Sequence, residues 1–249
     1  MVQAPQRTAF SGPTLIRLLA RLADVDVTES RQSLSDRLSQ WLHWTDAIAL
    51  STALSGNPPA VPSGAPFGSS EEDECARVRR ALANAIVGGN SFASAKRHGP
   101  AQAPARAAAP MDTAVDYAVF RQIYLSMQQA METGIGNLRG RLRGKLAVKT
   151  PAMTRLAEVD AVMERALGSR ERSLLATLPA LLGGHFERLR NAEKKALAEA
   201  DAEAAGDAPA LTPGAWLDVF RKDMQSVLLA ELDLRFQPVE GLLAALRTS

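Results

Sequence analysis

The sequence predicts an all-α protein, an N-terminal helical hairpin and a C-terminal bundle of long helices joined through Pro/Gly/Ala-rich linkers. Three observations carry this. Apolar residues recur at three- and four-residue spacing along most of the chain. Helix-start pairs, a capping side chain followed by proline or an acid, open several of these stretches. The alternation of a strand occurs once, at 138–145. With 249 residues, 46% of them hydrophobic, the chain can bury one good core or two small ones.

The N-terminal pair occupies 1–55. Pro13 takes a first helical position and Leu15, Leu18, Leu19 and Leu22 share a face, which predicts a helix over 13–23. A second helix is expected over 29–54, with Ser33 and Asp36 spaced as a capping box and Leu34, Leu38, Trp41, Leu42, Ile48 and Ala49 along one side. The short connection favours antiparallel packing of the two. Residues 56–70 hold four prolines and three glycines ahead of the acidic run and read as a flexible linker. Glu71, Glu72 and Asp73 then suit the positive end of a tethered third helix over 71–87, closed by Gly88 and Gly89. Residues 89–111 read as a second, mildly basic and disordered linker.

The C-terminal bundle is expected over 112–249. Asp112 is the expected cap of a fourth helix carrying Val119, Phe120, Ile123, Tyr124, Met127 and Met131 on one face. Thr150 and Pro151 open a long fifth helix, bent near Gly168 or Pro179, and Gly183 and Gly184 break it before a sixth over 185–205. Thr212 and Pro213 open a seventh, with Trp216, Phe220, Met224 and Leu228 facing inward. Pro238 is expected to separate a short closing helix around 242–246.

The bulk numbers exclude several classes of function. Twenty-nine basic and 27 acidic residues leave +2, too little to steer the whole chain onto nucleic acid or anionic lipid. The single cysteine, Cys75, excludes an intramolecular disulfide and fits a reducing cytoplasm; the acids beside it argue for an inert thiol. The longest apolar run, 174–182, is half a membrane span and contains Pro179, so no transmembrane segment is expected. Arg7, Arg17 and Arg21 ahead of the first acid resemble an organellar transit peptide, but the apolar pattern continues into the next element, as in an ordinary amphipathic helix.

The run at 138–145 is the most informative stretch. Leu138, Gly140, Leu142 and Gly144 alternate with Arg139, Arg141, Arg143 and Lys145, which fits a strand or a helix. As a strand it would aim four cations at one face but has no partner to satisfy its backbone. As a helix it places Leu138, Leu142 and Leu146 on one stripe and Gly136, Gly140 and Gly144 opposite, a track for close helix packing. Four glycines from 134 to 144 cost an isolated helix about 2–4 kcal/mol, so the helix, which is the favoured reading, needs packing to survive. Arg139, Arg141, Arg143, Lys145 and Lys149 could meet nucleic acid or an acidic partner; the competing expectation is intramolecular, with Glu193, Glu199, Asp201, Glu203 and Asp207 as the answering acids. No aromatic residues interleave the cations as single-strand binding requires, which favours the intramolecular expectation.

No constellation of catalysis or cofactor binding is visible. His43 between Trp41 and Trp44 suits a half-buried packing position, His98 falls in the second linker, and His185 follows the double glycine without a second ligand one turn on. No phosphate-binding glycine loop or nucleophile turn occurs. No catalytic, cofactor or metal site is therefore expected. Trp41 with Trp44, Met127 with Met131, and Trp216 with Phe220 and Met224 are spaced as core residues, and would mark partner-docking surfaces wherever they stay exposed.

Two stretches resemble an uncharacterised bacterial family, a domain of unknown function covering most of the chain. One runs from Ser11, Gly12, Pro13, Thr14 and Leu15 through Ser33 to Leu42; the other runs from Thr212, Pro213, Gly214, Ala215 and Trp216 through Leu232 to Pro238. The resemblance implies a soluble accessory component encoded near stator-like proton-channel subunits and peptidoglycan-binding envelope proteins, with no catalytic residue assigned. The expected role is non-enzymatic protein–protein interaction by a cytoplasmic protein that could also self-associate. Nucleic-acid binding through 139–149 is the alternative, and an enzyme of unrecognised class a further one.

Overall fold

The computed structural model describes residues 13–25, 32–56, 69–88, 116–202 and 214–248, and among them every regular element is a helix. In chain order these are α1 Thr14–Ala23, α2 Leu34–Trp41, α3 Trp44–Ser55 and α4 Ser69–Val87. They are followed by α5 Tyr117–Leu146, α6 Pro151–Leu175, α7 Leu178–Ala202 and α8 Ala215–Arg247.

The 33-residue α8 is the post around which the others assemble: α1, α4, α5 and α7 all pack on it. Phe220, Met224, Val227, Leu228, Phe236, Val239 and Leu246 give it an inward face along its full length. At one end an aromatic cluster locks three helices together. Phe186 of α7 lies 4.8 Å from Trp216 and 5.0 Å from Phe220 in edge-on contacts, and Phe120 of α5 meets Phe220 at 5.2 Å. Such pairs add about 0.5–1.5 kcal/mol each beyond the area they bury.

Local signals set several helix starts. The Ser33 hydroxyl accepts the Asp36 N–H at 3.1 Å, and Thr150 accepts the Met153 N–H at 3.2 Å ahead of Pro151. Asp116 caps α5 by accepting the Ala118 N–H at 2.9 Å; the expected cap, Asp112, lies outside the described residues.

Several internal boundaries differ from expectation, each for a physical reason. The helix expected over 29–54 is two, α2 and α3, because Leu42 and His43 are extended and Asp46 accepts the His43 N–H at 3.1 Å, which starts a new helix. His43 is exposed at that junction, not half-buried. α1 does not stand apart with α2 and α3: it sends Leu15 and Leu22 into the main core against α7 and α8. The break between the fifth and sixth predicted helices falls at Ala176 and Thr177, so Pro179 sits in the first turn of α7, where its missing N–H costs nothing. Gly183 and Gly184 run inside α7. Gly183 is a packing glycine: a Cβ there would stand 2.9 Å from the Tyr117 ring. Pro238 likewise lies within α8, where burial of Val239, Leu242, Leu243 and Leu246 holds the last turns in line against the lost hydrogen bond. The linkers expected at 56–70 and 89–111 fall mostly outside the described residues.

Candidate interaction site

The alternating run at 138–145 is helical, the last two turns of α5, with Leu138, Leu142 and Leu146 fully buried. Its cations are answered within the chain. Arg139 donates to Asp160 at 2.6 and 2.8 Å and Arg143 to Asp160 at 3.0 Å, with Glu164 completing a four-charge cluster between α5 and α6. On the other flank Arg141 pairs with Glu74 at 2.7 Å and Lys145 with Glu71, both on α4. Lys149 lies in the turn before α6 and has a partner of its own.

The cluster on α6 is the more enclosed of the two. Arg139 and Asp160 retain only 13% and 12% of their side-chain exposure, so their charges act through a medium poorer in water than the surface. Burial pulls the Arg143 pKa down, but hydrogen bonds to Glu164 and Asp160 outweigh it and the net direction is up. Each charge faces two of opposite sign, so removing one leaves its neighbours desolvated and with a single partner each.

The acids differ from those expected. Glu193 accepts the Gly214 N–H at 2.9 Å and so helps start α8, and Glu199 pairs with Lys195 at 3.7 Å. Glu203 and Asp207 lie outside the described residues, as does the side chain of Asp201. α6 and α4 border α5 in their place, and both supply acids at the right height. The glycine face also differs: a Cβ on Gly136 or Gly144 meets nothing within 4 Å, and one on Gly140 touches only the Arg143 guanidinium at 3.9 Å. Among the described residues these three do not form a close-packed helix track. Gly134 is the glycine that α4 approaches, with Leu82 at 3.7 Å.

A second polar centre, not apparent in the sequence, lies in the core. Glu231 of α8 is fully buried and accepts from the Tyr124 hydroxyl at 2.7 Å, Gln128 at 3.0 Å and Arg235 at 2.9 Å. Burial foremost, then the adjacent Glu231 charge, pushes the Tyr124 pKa upward, so the phenol stays a donor. Tyr124, Gln128 and Arg235 thus share one carboxylate as their acceptor. This centre fixes the register of α5 on α8, a structural task. Cys75 is buried on α4, where burial and Glu74 raise its pKa, in keeping with an inert thiol. Among the described residues no three His, Cys, Asp or Glu side chains gather as a metal site requires, and no helix is long and apolar enough to cross a membrane.

The arm formed by α2 and α3 has the opposite character. It packs on α6 alone among its principal neighbours. α3 carries one charge, Asp46, and its apolar residues, Trp44, Ile48, Leu50 and Leu54 with three alanines, are spread around the helix instead of gathered on one stripe. Only Ala53 is buried. Trp44 and Ile48, one turn apart on the face away from Ala49 and Ala53, are 80% and 50% exposed, with Leu54 at 55% on the flank and Leu34 of α2 at 71%. Of the aromatic and methionine groups spaced as core, Met131, Trp216, Phe220 and Met224 are buried and Trp44 is not.

Among the described residues the fold and surface define an all-helical protein with a polar centre in its core and an outward apolar arm. The chain belongs to the family described as Protein of unknown function (DUF3348), whose family model matches residues 1–248. No curated protein and no solved structure matches it.

Proposed function

We propose that the protein is a non-enzymatic interaction protein, an accessory subunit that docks a protein partner through the exposed face of α2 and α3. The observation that carries this is Trp44, 80% exposed beside Ile48 on a helix with almost no charge of its own. A tryptophan buries about 150–250 Å² when covered, and tryptophan is the residue type most enriched among the groups that dominate binding energy. Large apolar side chains left exposed one helical turn apart, as Trp44 and Ile48 are, suit an association site. The setting we propose, a bacterial envelope-associated assembly served from the cytoplasm, follows the resemblance of the stretches at 11–42 and 212–238. The paired cations at 139–145 lend the nucleic-acid alternative no support, since phosphate contacts would have to displace Asp160, Glu164, Glu71 and Glu74.

Affinity purification of the tagged full-length chain, with and without nuclease, against the double variant Trp44→Glu/Ile48→Glu tests the proposal. Wild type is expected to retain a stoichiometric protein partner that survives nuclease and is lost from the variant. Retention indifferent to both substitutions, or abolished by nuclease, overturns it.

A further inference from the structure

α5 packs on both α6 and α8, but α6 and α8 are not principal neighbours, so one side of this triangle is open. A cavity of about 520 Å³ fills the gap, within the roughly 300–1,000 Å³ range of small-molecule sites. Its apolar lining includes Met131 and Ile135 of α5, Leu167 and Leu174 of α6, and Leu234 of α8. Gly136 and Gly168 keep it open from facing helices: a Cβ at the first meets nothing within 4 Å, and at the second only the Arg172 guanidinium at 3.7 Å. Along α6 and α8 the opening is bridged by the Arg235–Glu171 contact at 3.4 Å.

The charges along the wall are mostly spent on one another. Glu132 is answered by Arg172 at 3.3 Å, Glu164 by Arg143, and Glu171 by Arg235. Among the lining arginines Arg170 differs. It has no carboxylate partner among the described residues, and its guanidinium lies 5.7 Å from the ring centre of Trp41, which also lines the cavity. A cation held over an aromatic face keeps its outward donors available, next to an apolar chamber.

From this juxtaposition we infer that the cavity between α5, α6 and α8 is a binding site for a small amphiphile with one anionic group, its apolar body on Met131, Ile135 and Leu234 and its anion on Arg170. The wall carboxylates, each already paired, disfavour a cationic ligand, which would have to compete with an arginine for any of them.

The test titrates the full-length protein with decanoate, decan-1-ol and decyltrimethylammonium below their micelle concentrations, read by calorimetry and by tryptophan emission. Decanoate is expected to bind saturably at one per chain and more tightly than the alcohol, with the cation weakest. Trp41→Phe should remove most of the emission change. Arg170→Gln should weaken decanoate about tenfold, the scale of one charge-assisted hydrogen bond, and leave the alcohol unchanged. Gly136→Leu and Gly168→Leu fill the chamber and should abolish binding of both ligands; circular dichroism checks the fold of each, and either alone suffices. Flotation with phosphatidylglycerol vesicles separates a free amphiphile from a membrane surface. The inference is overturned by absence of saturable decanoate binding, by a decanoate isotherm unchanged in a folded leucine variant, by equal binding of the cation, or by vesicle flotation without decanoate binding.

Discussion

α8 and the α2–α3 arm are built from similar proportions of apolar residue and treat them in opposite ways. α8 buries thirteen of its residues, whereas α2 buries none and α3 only Ala53. In the first, apolar side chains face helices on several sides. In the second they face α6 on one side and solvent on the other. Apolar content alone therefore does not mark the core of this chain; the number of neighbouring elements does. Stability should reside in the post, and recognition is proposed to reside in the arm.

The contrast can be broken most forcefully at Glu231. Glu231→Ala leaves Arg235, Tyr124 and Gln128 without their common acceptor, and a loss of about 3–5 kcal/mol is expected, seen as a lowered urea midpoint. Phe220→Ala, which empties the centre of the aromatic cluster, should cost a comparable 3–5 kcal/mol by the same measurement. Asp160→Asn ranks next: it weakens the acceptor shared by Arg139 and Arg143 and should cost about 1–3 kcal/mol, partly restored when both arginines are also changed. Gly140→Ala and Gly144→Ala act in the other direction. Each adds a Cβ on a helix that meets nothing closer than the Arg143 guanidinium at 3.9 Å and should stabilise by about 0.5–1 kcal/mol. Trp44→Ser, in the arm, should move the midpoint by less than about 0.5 kcal/mol. If it instead matched Phe220→Ala, the division between post and arm would fail.

Alkaline titration sharpens the comparison from α5, which packs along the post. Burial raises the Tyr117 pKa from 10.0 to about 12, and its hydroxyl donates to the Pro179 carbonyl. A group whose folded pKa is raised binds its proton more tightly when folded. Its contribution is therefore complete below pH 10 and lost between 10 and 12. Stability should fall over that interval, and Tyr117→Phe should flatten the fall.

Much of the fold was legible where the signal is local. Thr150 with Pro151, Ser33 with Asp36, and the apolar face of α8 need only neighbours within a few residues to declare themselves. Internal breaks were not legible, because glycine and proline penalties of about 1–3 kcal/mol are smaller than the packing that opposes them. Gly183 under Tyr117 and Pro238 ahead of Val239 are read correctly only once their neighbours are known. The partners of the basic run were partly within reach. Arg139 and Arg143 are one turn apart on α5, as are Asp160 and Glu164 on α6, and antiparallel helices leaving a short turn bring such pairs level. The exposure of Trp44 had no local sign, since its spacing matches that of a core residue.

The position of α8 in the chain also bears on how the molecule is made. It follows every other described helix in sequence, so on the ribosome it emerges after α1, α4, α5 and α7. Those four helices share it as a common neighbour, and although α5 also packs on α4 and α7 and α1 on α7, the faces they turn toward α8 stay uncovered until it arrives. Synthesis supplies the walls before the post, and contacts such as Arg79 with Asp233 and Arg247 with Glu72 span more than 150 residues of chain. Folding of the core must therefore wait for α8 to be made, leaving an interval in which the nascent chain exposes surface that the finished protein conceals.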